Sequence, residues 1–480
     1  MGDVGDSGRA GAGRGWRLGA ALSFLVPAGT LGDSGGMSTS ARTESCDVAV
    51  VGAGSSGSYL AGLLARAGLR VVLLEARRFE KAGAWWINGV APGMLERAGL
   101  GAPPAGEIFS VHAPLLLLGP GGSGRIVLEA SPLLELRMDR FCARLRRQAL
   151  EAGVQVVERV TGVELLVEAG RVVGLRLSGA PPGGRRRSWR LRAGLVVDAS
   201  GPARSLVGQH PQGARLWPAP PPRLVCRAAQ QVLEITDRRG ALAFSERWRV
   251  APGTTVMFSC PRGGWSILNV RIDPGLERAD LMAGCLASKA GSGLEMIADF
   301  RRQNTWLGRR LSGGSGDISL RRPYPRPWAP GLALVGEAAC QVFGLHGSGT
   351  ASGLLAARKL AGAVVGGTDP GSRPALASYG RAVALEPGLR CAAAEPLVRL
   401  LDDIGVPGVE QLFDAGIVDA ETLAAGLEQR LAWTGSGELV RRSRKLAGQG
   451  RLALRVAAAL LAAGTLAARQ LLRSLPGTGA

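Results

Sequence analysis

Residues 47–57, Asp-Val-Ala-Val-Val-Gly-Ala-Gly-Ser-Ser-Gly, decide the fold of this chain. The apolar run at 48–51 predicts a short buried β-strand. Gly52, Gly54 and Gly57 follow it in Gly-x-Gly-x-x-Gly spacing. The first glycine allows a tight turn, the second lets a pyrophosphate approach the backbone, and the third lets a helix pack on the strand.

A second strand, 70–74, ends in Glu75, where an acid is suited to bind a ribose hydroxyl. Strand, glycine turn, helix, strand and acid agree, so we predict a dinucleotide site; an ordinary glycine-rich turn is the alternative. The free N–H groups at the helix start would face the phosphates. The predicted cofactor-binding residues of this unit are Gly52, Ala53, Gly54, Ser55, Ser56, Gly57, Glu75, Ala76 and Arg77.

Composition limits the class of protein. The chain has 480 residues, 46% of them hydrophobic, which is enough for a large core. Its net charge of +20 is compatible with a polyanion partner. Arginine is used almost everywhere in place of lysine, and no nucleic-acid-binding module is visible. We therefore interpret the charge as compositional bias and predict no nucleic-acid partner, although a basic surface favours an anionic membrane.

The cysteines and histidines exclude two kinds of chemistry. The seven cysteines are dispersed without a Cys-x-x-Cys pair, which argues against thiol–disulfide reductases and zinc ribbons. Such an odd, scattered set is typical of a reducing cytosol, so we predict a cytoplasmic protein. The three histidines are too few and too far apart to indicate a metal centre.

The two ends of the chain differ from its middle. Residues 1–44 are rich in Gly, Ser and Arg and are interpreted as a disordered extension or a mis-set start; a secretory signal is the alternative. Residues 438–475 predict a basic amphipathic helix, whose apolar part, 456–468, is too short to span a bilayer. That helix either lies on a membrane surface or packs on its own domain.

Changes in sequence pattern divide the chain into five parts, the first of which is the extension at 1–44. We predict a nucleotide-binding domain at 45–214 with an insertion at about 84–130, a β-sheet domain at 215–318, a return of the first domain at 319–370, and a helical region at 371–480. Within the β-sheet domain we predict strands that include 244–250, and a helix at 279–303.

Further glycine turns and acids occur at the ends of predicted strands. They are Asp198-Ala-Ser-Gly201, Gly336-Glu337, and the turn Gly347-Ser348-Gly349, which opens a helix. In open α/β sheets, ligands collect at the carboxyl ends of the strands. We therefore expect these segments to meet at one cofactor.

Together, these motifs resemble the FAD-dependent monooxygenase superfamily of the p-hydroxybenzoate hydroxylase fold. Asp-Ala-Ser-Gly is closer to its geranylgeranyl-reductase and flavin-halogenase branch. The resemblance covers residues 45–380. It implies an α/β protein with a Rossmann-like FAD-binding domain, an inserted antiparallel-sheet substrate domain and a C-terminal helical region.

The resemblance also assigns roles to residues. Glu337 stands where the family usually has an aspartate that binds the ribityl chain, so its reach is longer. The N–H groups around Gly347–Gly349 would stabilise negative charge on the reduced flavin. The residues that match family positions at the cofactor are Arg140, Asp198, Gly201, Gly336, Glu337, Gly347, Ser348 and Gly349.

The implied activity is that of an FAD-dependent oxidoreductase. We expect a monooxygenase acting on a small organic or lipid-like substrate, with NAD(P)H as a possible transient electron donor. The alternatives are a prenyl-type double-bond reductase and a flavin-binding membrane-surface protein without turnover. The halogenase motif Trp-x-Trp-x-Ile-Pro is absent. The substrate-side candidates are Trp85, Trp86 and Trp265; His346 is either an acid–base residue or a structural hydrogen-bonding residue.

Overall fold

The computed structural model describes residues 43–122, 124–179, 187–430, 445–446 and 449–475. The predicted extension at 1–42 lies outside the described residues, as do 438–444 and 447–448 of the predicted C-terminal helix. Residues 43 and 44, predicted to belong to the extension, instead begin the first strand.

The strands, numbered in chain order, are β1 (Thr43–Val51), β2 (Val71–Leu74), β3 (Ile87–Val90), β4 (Ile108–Val111), β5 (Leu115–Leu118), β6 (Arg125–Leu128), β7 (Leu134–Arg137), β8 (Gln155–Val157), β9 (Val160–Glu168), β10 (Arg171–Gly179), β11 (Arg187–Asp198), β12 (Val225–Ile235), β13 (Thr255–Ser259), β14 (Ser266–Ile272), β15 (Arg278–Leu286), β16 (Leu307–Ser319), β17 (Trp328–Ala329) and β18 (Leu332–Leu334).

The α-helices are α1 (Ser55–Arg66), α2 (Pro92–Arg97), α3 (Met138–Glu151), α4 (Gly213–Leu216), α5 (Arg238–Arg247), α6 (Gly293–Gln303), α7 (Thr350–Val364), α8 (Arg373–Val383), α9 (Leu389–Asp414), α10 (Ala420–Leu427) and α11 (Gly450–Ser474). A π-helical turn, Ala384–Gly388, joins α8 to α9.

The first sheet has its core strands in the order β17-β18-β11-β1-β2-β8. β1 runs parallel to β2 and β11, and β11 runs parallel to β18. Val51 pairs with Asp198, which pairs with Leu334. The motifs that follow these strands therefore leave the sheet at one edge, as predicted for a Rossmann-like domain.

Both faces of β1 are buried. Val48 and Val50 pack into a core with helices α1, α3, α7 and α8. Ala49 and Val51 pack into a second core with β10 and Trp217. A strand covered on both sides reads as a continuous apolar run, which is what the sequence has here.

The second sheet has seven strands in the order β16-β12-β15-β14-β13-β5-β6. β5 and β6 come from the predicted insertion at 84–130, and β5 joins β13 in parallel, with Leu115 opposite Thr255. The substrate-domain sheet is therefore assembled from two distant parts of the chain. β3 and β4 of the same insertion form a small three-stranded sheet with β7, in the order β3-β7-β4.

Two local predictions were wrong. The predicted strand at 244–250 lies mostly within α5, which Asp237 caps by accepting from the N–H of Arg239. The predicted helix at 279–303 is two elements, β15 and α6. Ala279 and Leu281 of β15 face one core while Asp280 and Met282 face away, an alternation with the period of a strand.

The C-terminal region is helical, as predicted. In α11, Leu452, Val456 and Ala459 join a core with residues of α9. Among the described helices, α11 alone is long and apolar enough to cross a membrane, although the sequence predicted its apolar part to be too short. Only 17% of its most apolar window is buried.

Candidate cofactor and substrate site

The glycine turn after β1 contacts the Asp198-Ala-Ser-Gly201 segment. A Cβ on Gly52, whose φ is +105°, would lie 2.5 Å from the carbonyl oxygen of Ala199. A Cβ on Gly57 would overlap the carbonyl oxygen of Gly52 and lie 3.2 Å from the Cβ of Ala199. These two glycines are required because the two segments touch through their backbones.

The third segment reaches the same turn through Ser56. A Cβ built on Gly336 would lie 3.0 Å from the Oγ of Ser56, and a Cβ built on Gly353 would overlap that oxygen. The start of α1, the Gly336-Glu337 turn and the first part of α7 therefore meet at one place. The three distant motifs converge as the sequence predicted.

Glu75 is buried at the end of β2 and ties the glycine turn to the strand. Its Oε2 accepts from the N–H of Ala53 at 2.9 Å. Its Oε1 accepts from the backbone N–H of Arg77 at 3.0 Å and from the Nε of Arg77 at 3.3 Å. The acid is thus fixed beside the turn where a ribose would bind. Ala76 lies between these two residues.

Other parts of the turn are open. Nothing lies within 4 Å of a Cβ built on Gly54 or Gly201. α1 begins at Ser55, and no side chain caps its N-terminus. Uncapped N–H groups beside open space suit a pyrophosphate, so the residues present fit the phosphates of FAD.

Asp198 supports this cradle from within. The residue is fully buried, and its Oδ1 accepts from the N–H of Ser200 at 3.0 Å and its Oγ at 2.6 Å. Its Oδ2 accepts from the N–H of Leu206 at 2.9 Å. Burial raises the pKa of Asp198, and these three donors oppose the rise. The carboxylate holds the loop that touches Gly52.

Glu337 lies at the junction with the second sheet. Its Oε1 accepts from the N–H of Ser319, at the end of β16, at 3.1 Å. Although the residue keeps some exposed surface, its carboxylate is enclosed. The pKa of Glu337 is raised to about 7, mainly by desolvation. The hydrogen bond from Ser319 acts to lower this pKa, and the charge of Asp317 acts to raise it. Glu337 therefore bridges the cofactor domain and the substrate-domain sheet.

We expect Glu337 to make the apoprotein less stable as the pH rises. In the folded chain Glu337 has a pKa of about 7, whereas the ordinary pKa of a glutamate is 4.5. At pH values between these two, folding is therefore accompanied by uptake of a proton. The stability from this group is complete below the lower value and is lost as the pH rises through the higher one. Between about pH 5 and about pH 8 the loss is about 2–3 kcal/mol.

Chemical denaturation of the apoprotein at both pH values measures this slope. Glu337→Gln should flatten it, while Glu246→Gln, at an exposed position, should leave it unchanged. Asp280, whose pKa burial also raises to about 7, contributes in the same direction in every variant. An unaltered slope in Glu337→Gln contradicts the prediction.

The turn before α7, residues 347–349, lies next to β3. Gly347 donates its N–H to the carbonyl of Phe343 at 2.8 Å, so this N–H is not free, contrary to the predicted role. Ser348 pairs with Phe343 in an isolated antiparallel bridge, so its N–H faces that residue. Among the described residues no hydrogen bond uses the N–H of Gly349, and this group at the N-terminus of α7 is therefore the available donor to an anionic edge of a flavin.

Asn88 fixes that turn and was missed as a site residue. Its Oδ1 accepts from the Oγ of Ser348 at 2.9 Å, and its Nδ2 donates to the Oγ1 of Thr350 at 2.9 Å. The signal in the sequence is the Asn88-Gly pair, which is typical of a turn next to the two tryptophans.

His346 precedes the turn and faces β3. A Cβ on Gly89 would lie 3.6 Å from its Cε1. Its Nδ1 is buried without a hydrogen-bond partner among the described residues. Burial lowers the pKa of His346 to about 4, so the ring is neutral at physiological pH. This favours a hydrogen-bonding role over that of a charged acid.

The three tryptophans lie in different places. Trp265 comes just before β14, 3.9 Å from a Cβ built on Gly347. The ring of Trp86 packs over Gly316 of β16. Trp85 is 44% exposed and donates its Nε1 to the carbonyl of Lys81 at 3.1 Å. The structure brings two of the three to the sheet and leaves Trp85 at the surface.

Arg140 is exposed on α3 and donates to the carbonyl of Gly106 at 2.9 Å. The described hydrogen bonds connect it to this loop and not to the glycine turn. At the end of β7, Arg137 stacks near Phe109, with its guanidinium 5.8 Å from the ring centre.

One face of the second sheet carries Gln230, which contacts β3. Gln230 of β12 accepts from the N–H of Ile87 at 2.6 Å and donates to Asp280 at 3.0 Å. The register places Met282 opposite Gln230 and Asn269 opposite Met282, so these side chains share that face. On this face Leu117, Met257 and Ile267 pack against Leu427 and Phe413 of the helical region. Ala228 packs beside Trp265 and Leu345, and Met282 lies next to it on the same face.

Two polar atoms interrupt this apolar face. The Oδ1 of Asn269 and the Oδ1 of Asp280 are buried and have no hydrogen-bond partner among the described residues. Nearby, Arg271 pairs with Glu135, which also accepts from Ser110. An apolar surface with a few polar positions is typical of small-molecule sites.

Comparison with known proteins agrees with this geometry. Residues 45–100 match the protein-family model of the FAD binding domain. The chain is 28% identical over 320 residues to digeranylgeranylglycerophospholipid reductase 1 of Methanopyrus kandleri. The aligned region covers 65% of this chain and 78% of the relative.

Solved structures share the fold. A geranylgeranyl bacteriochlorophyll reductase-like protein from Thermoplasma acidophilum superposes with a TM-score of 0.65 at 18% identity, covering 86% of this chain and all of the other. The flavin-dependent brominase Bmp2 superposes with a TM-score of 0.56 at 14% identity, covering 85% of this chain and all of the brominase. At these identities the likeness concerns the fold.

Proposed function

We propose that this chain, an enzyme of the FAD-dependent oxidoreductase superfamily, reduces carbon–carbon double bonds in the isoprenoid chain of a lipid. The observation that carries the proposal is the apolar part of the second sheet around Ala228 and Trp265, which lies beside the turn that opens α7. The named relative is a reductase of a geranylgeranyl lipid, which supports the same substrate class.

FAD, once reduced, supplies the hydride for such a reduction. The chain would hold its phosphates at Gly54 and the start of α1, its ribose at Glu75, and its anionic edge at the N–H of Gly349. Asn88 would keep that turn in place. The apolar face would orient the hydrocarbon and exclude water.

The test is conversion of a geranylgeranyl phospholipid by the purified holoenzyme without oxygen, with dithionite or NAD(P)H as reductant. Mass spectrometry should show two added hydrogen atoms for each reduced bond. Activity with NAD(P)H would support it as the donor. A yellow, folded protein that leaves every double bond intact contradicts the proposal.

A monooxygenase, which the sequence analysis favoured, is the second candidate. The unpartnered oxygens of Asn269 and Asp280 favour it, because a pure hydrocarbon leaves them without hydrogen bonds. A substrate with a hydroxyl or amine would satisfy them. The two candidates separate in one assay, since only oxygen insertion requires oxygen and adds an oxygen atom to the product.

We expect His346→Gln to bind FAD normally and to lower kcat less than about tenfold, with no change in the pH profile. The reason is that the wild-type ring is already neutral at physiological pH. A general acid or base would lose about 10²–10⁴-fold. A loss of that size, together with a shifted pH–rate profile, contradicts the expectation.

The proposed location is the cytoplasmic side of a membrane. All seven cysteines are buried and unpaired, which suits a reducing compartment. The outward face of α11 exposes Leu454, Leu461 and Leu472, at 73%, 74% and 58%. Their spacing puts them on one stripe of the helix. The stripe is apolar enough to enter the headgroup region of a bilayer.

Vesicle flotation tests this contact. Replacing Leu454, Leu461 and Leu472 with serine should release the enzyme from vesicles while its flavin and its turnover of a detergent-dispersed substrate are retained. Equal flotation of the variant and the wild type contradicts the membrane contact and leaves the proposed chemistry unaffected.

A further inference from the structure

A basic groove of about 610 Å³ lies on the surface between α2, α7 and α8. Three of its lining residues are cationic, Arg97, Arg358 and Lys359, and one is acidic, Glu386. Glu386 is already shared, since it lies 3.3 Å from the Nε of Arg97 and 3.7 Å from the Nζ of Lys359.

The positive charge exceeds what Glu386 neutralises. Arg390 approaches the same carboxylate at 3.6 Å, and burial, followed by the charge of Arg97, lowers its pKa. Arg358 donates to the carbonyl of Arg97 at 3.1 Å and has no carboxylate partner among the described residues. The groove therefore has unmatched positive charge that an anion would satisfy.

Small residues keep the groove open. Its floor includes Gly362, Ala363 and Ala382, and Ser378 adds a hydroxyl at its wall. Nothing lies within 4 Å of a Cβ built on Gly362, so the space above this glycine is free. A compact tetrahedral anion has both room and donors here.

The groove also adjoins the helix with the exposed leucines. Gln470 of α11 lies 3.8 Å from a Cβ built on Gly388, two residues from Glu386. The C-terminal part of α11, which includes the exposed Leu472, therefore runs past the π-helical turn that forms one wall of the groove. The groove and α11 thus share this turn, which Gln470 meets from the buried face of the helix while the apolar stripe lies on its outer face.

We propose that this groove binds the headgroup phosphate of an anionic phospholipid in the membrane, and so holds the enzyme on its substrate-bearing surface. The proposal rests on the membrane contact proposed above, because the exposed leucines favour a lipid over a free phosphate. It gives the groove a function separate from flavin chemistry: it selects the membrane by headgroup charge.

The experiment is sedimentation of the holoenzyme with phosphatidylcholine vesicles that contain or lack phosphatidylglycerol. The wild type should bind more tightly when phosphatidylglycerol is present. Arg358→Gln with Lys359→Gln should weaken that binding about 25-fold, since each cation near an anionic surface contributes about fivefold. Gly362→Gln, which fills the groove without changing its charge, should also weaken it, by about tenfold.

Gly208→Gln is the matched control. Gly208 is an exposed glycine with nothing within 4 Å of a built Cβ, and it neighbours Val207 in the core on the opposite face of the first sheet. The control should bind like the wild type. Loss of binding in the charge variant alone, with Gly362→Gln unaffected, would mean diffuse attraction and overturn the proposed site.

The flavin assay separates this proposal from the proposed function. Gly362→Gln should keep its yellow colour and turn over a detergent-dispersed substrate at the wild-type rate. Failure of every variant and the wild type to turn over substrate would refute the chemistry alone. Unchanged vesicle binding in an active Gly362→Gln enzyme would refute the groove alone.

Discussion

Gly54→Ala is expected to leave the apoprotein folded and to weaken FAD binding at least about tenfold, or about 1.4 kcal/mol. A Cβ on Gly54 meets no protein atom within 4 Å, so the fold has room for it. That free space is where the phosphates approach the backbone, and a methyl group there would keep them away.

Gly57→Ala should have the opposite effect. Its Cβ would overlap the carbonyl oxygen of Gly52, so α1 must move away from the turn. We expect a loss of more than about 3 kcal/mol in the free energy of unfolding. Chemical denaturation of the apoprotein and fluorescence titration with FAD measure the two quantities. Equal loss of stability in both variants would contradict the distinction between phosphate approach and helix packing.

Asp198→Ala should destabilise the protein by about 2–6 kcal/mol, from about 1–3 kcal/mol for each buried N–H that loses its acceptor. The substitution removes the acceptor of three hydrogen bonds in a fully buried place, and the N–H groups of Ser200 and Leu206 are left without partners. The loop against Gly52 would loosen, so FAD affinity should fall as well.

Asp237→Ala is the control for this loss. Asp237 also accepts a backbone N–H, from Arg239, but it is exposed at the start of α5. Loss of such an N-cap costs about 1 kcal/mol. Denaturation curves for the two variants therefore isolate the contribution of burial. A similar, small effect in both variants would show that Asp198 does not hold the loop.

The cofactor domain was predictable because its signals are local. Gly52, Gly54, Gly57 and Glu75 have fixed spacing in a strand–helix–strand unit, and the carboxyl ends of parallel strands meet at one edge. The convergence of Ala199 and the Gly336 turn on this unit follows from that rule. The roles of individual donors do not, since the Gly347 N–H is used within its own turn.

The second sheet was harder to predict because its contacts are between distant residues. Ala279, Leu281 and Met282 are residues common in helices, and only tertiary pairing with β12 and β14 makes them a strand. The pairing of β5 with β13 leaves no local pattern at all. The role of Asn88 also depends on distant residues, since its partners Ser348 and Thr350 lie at the turn that opens α7.

The joining of β5 to β13 also affects how the chain is made. The hairpin of β5 and β6 leaves the ribosome long before β13 exists, with Leu116 and Leu118, which are buried in the finished sheet, still uncovered. Exposed apolar strands of this kind promote aggregation. The nascent chain therefore carries this uncovered hairpin until more than half of it has been translated.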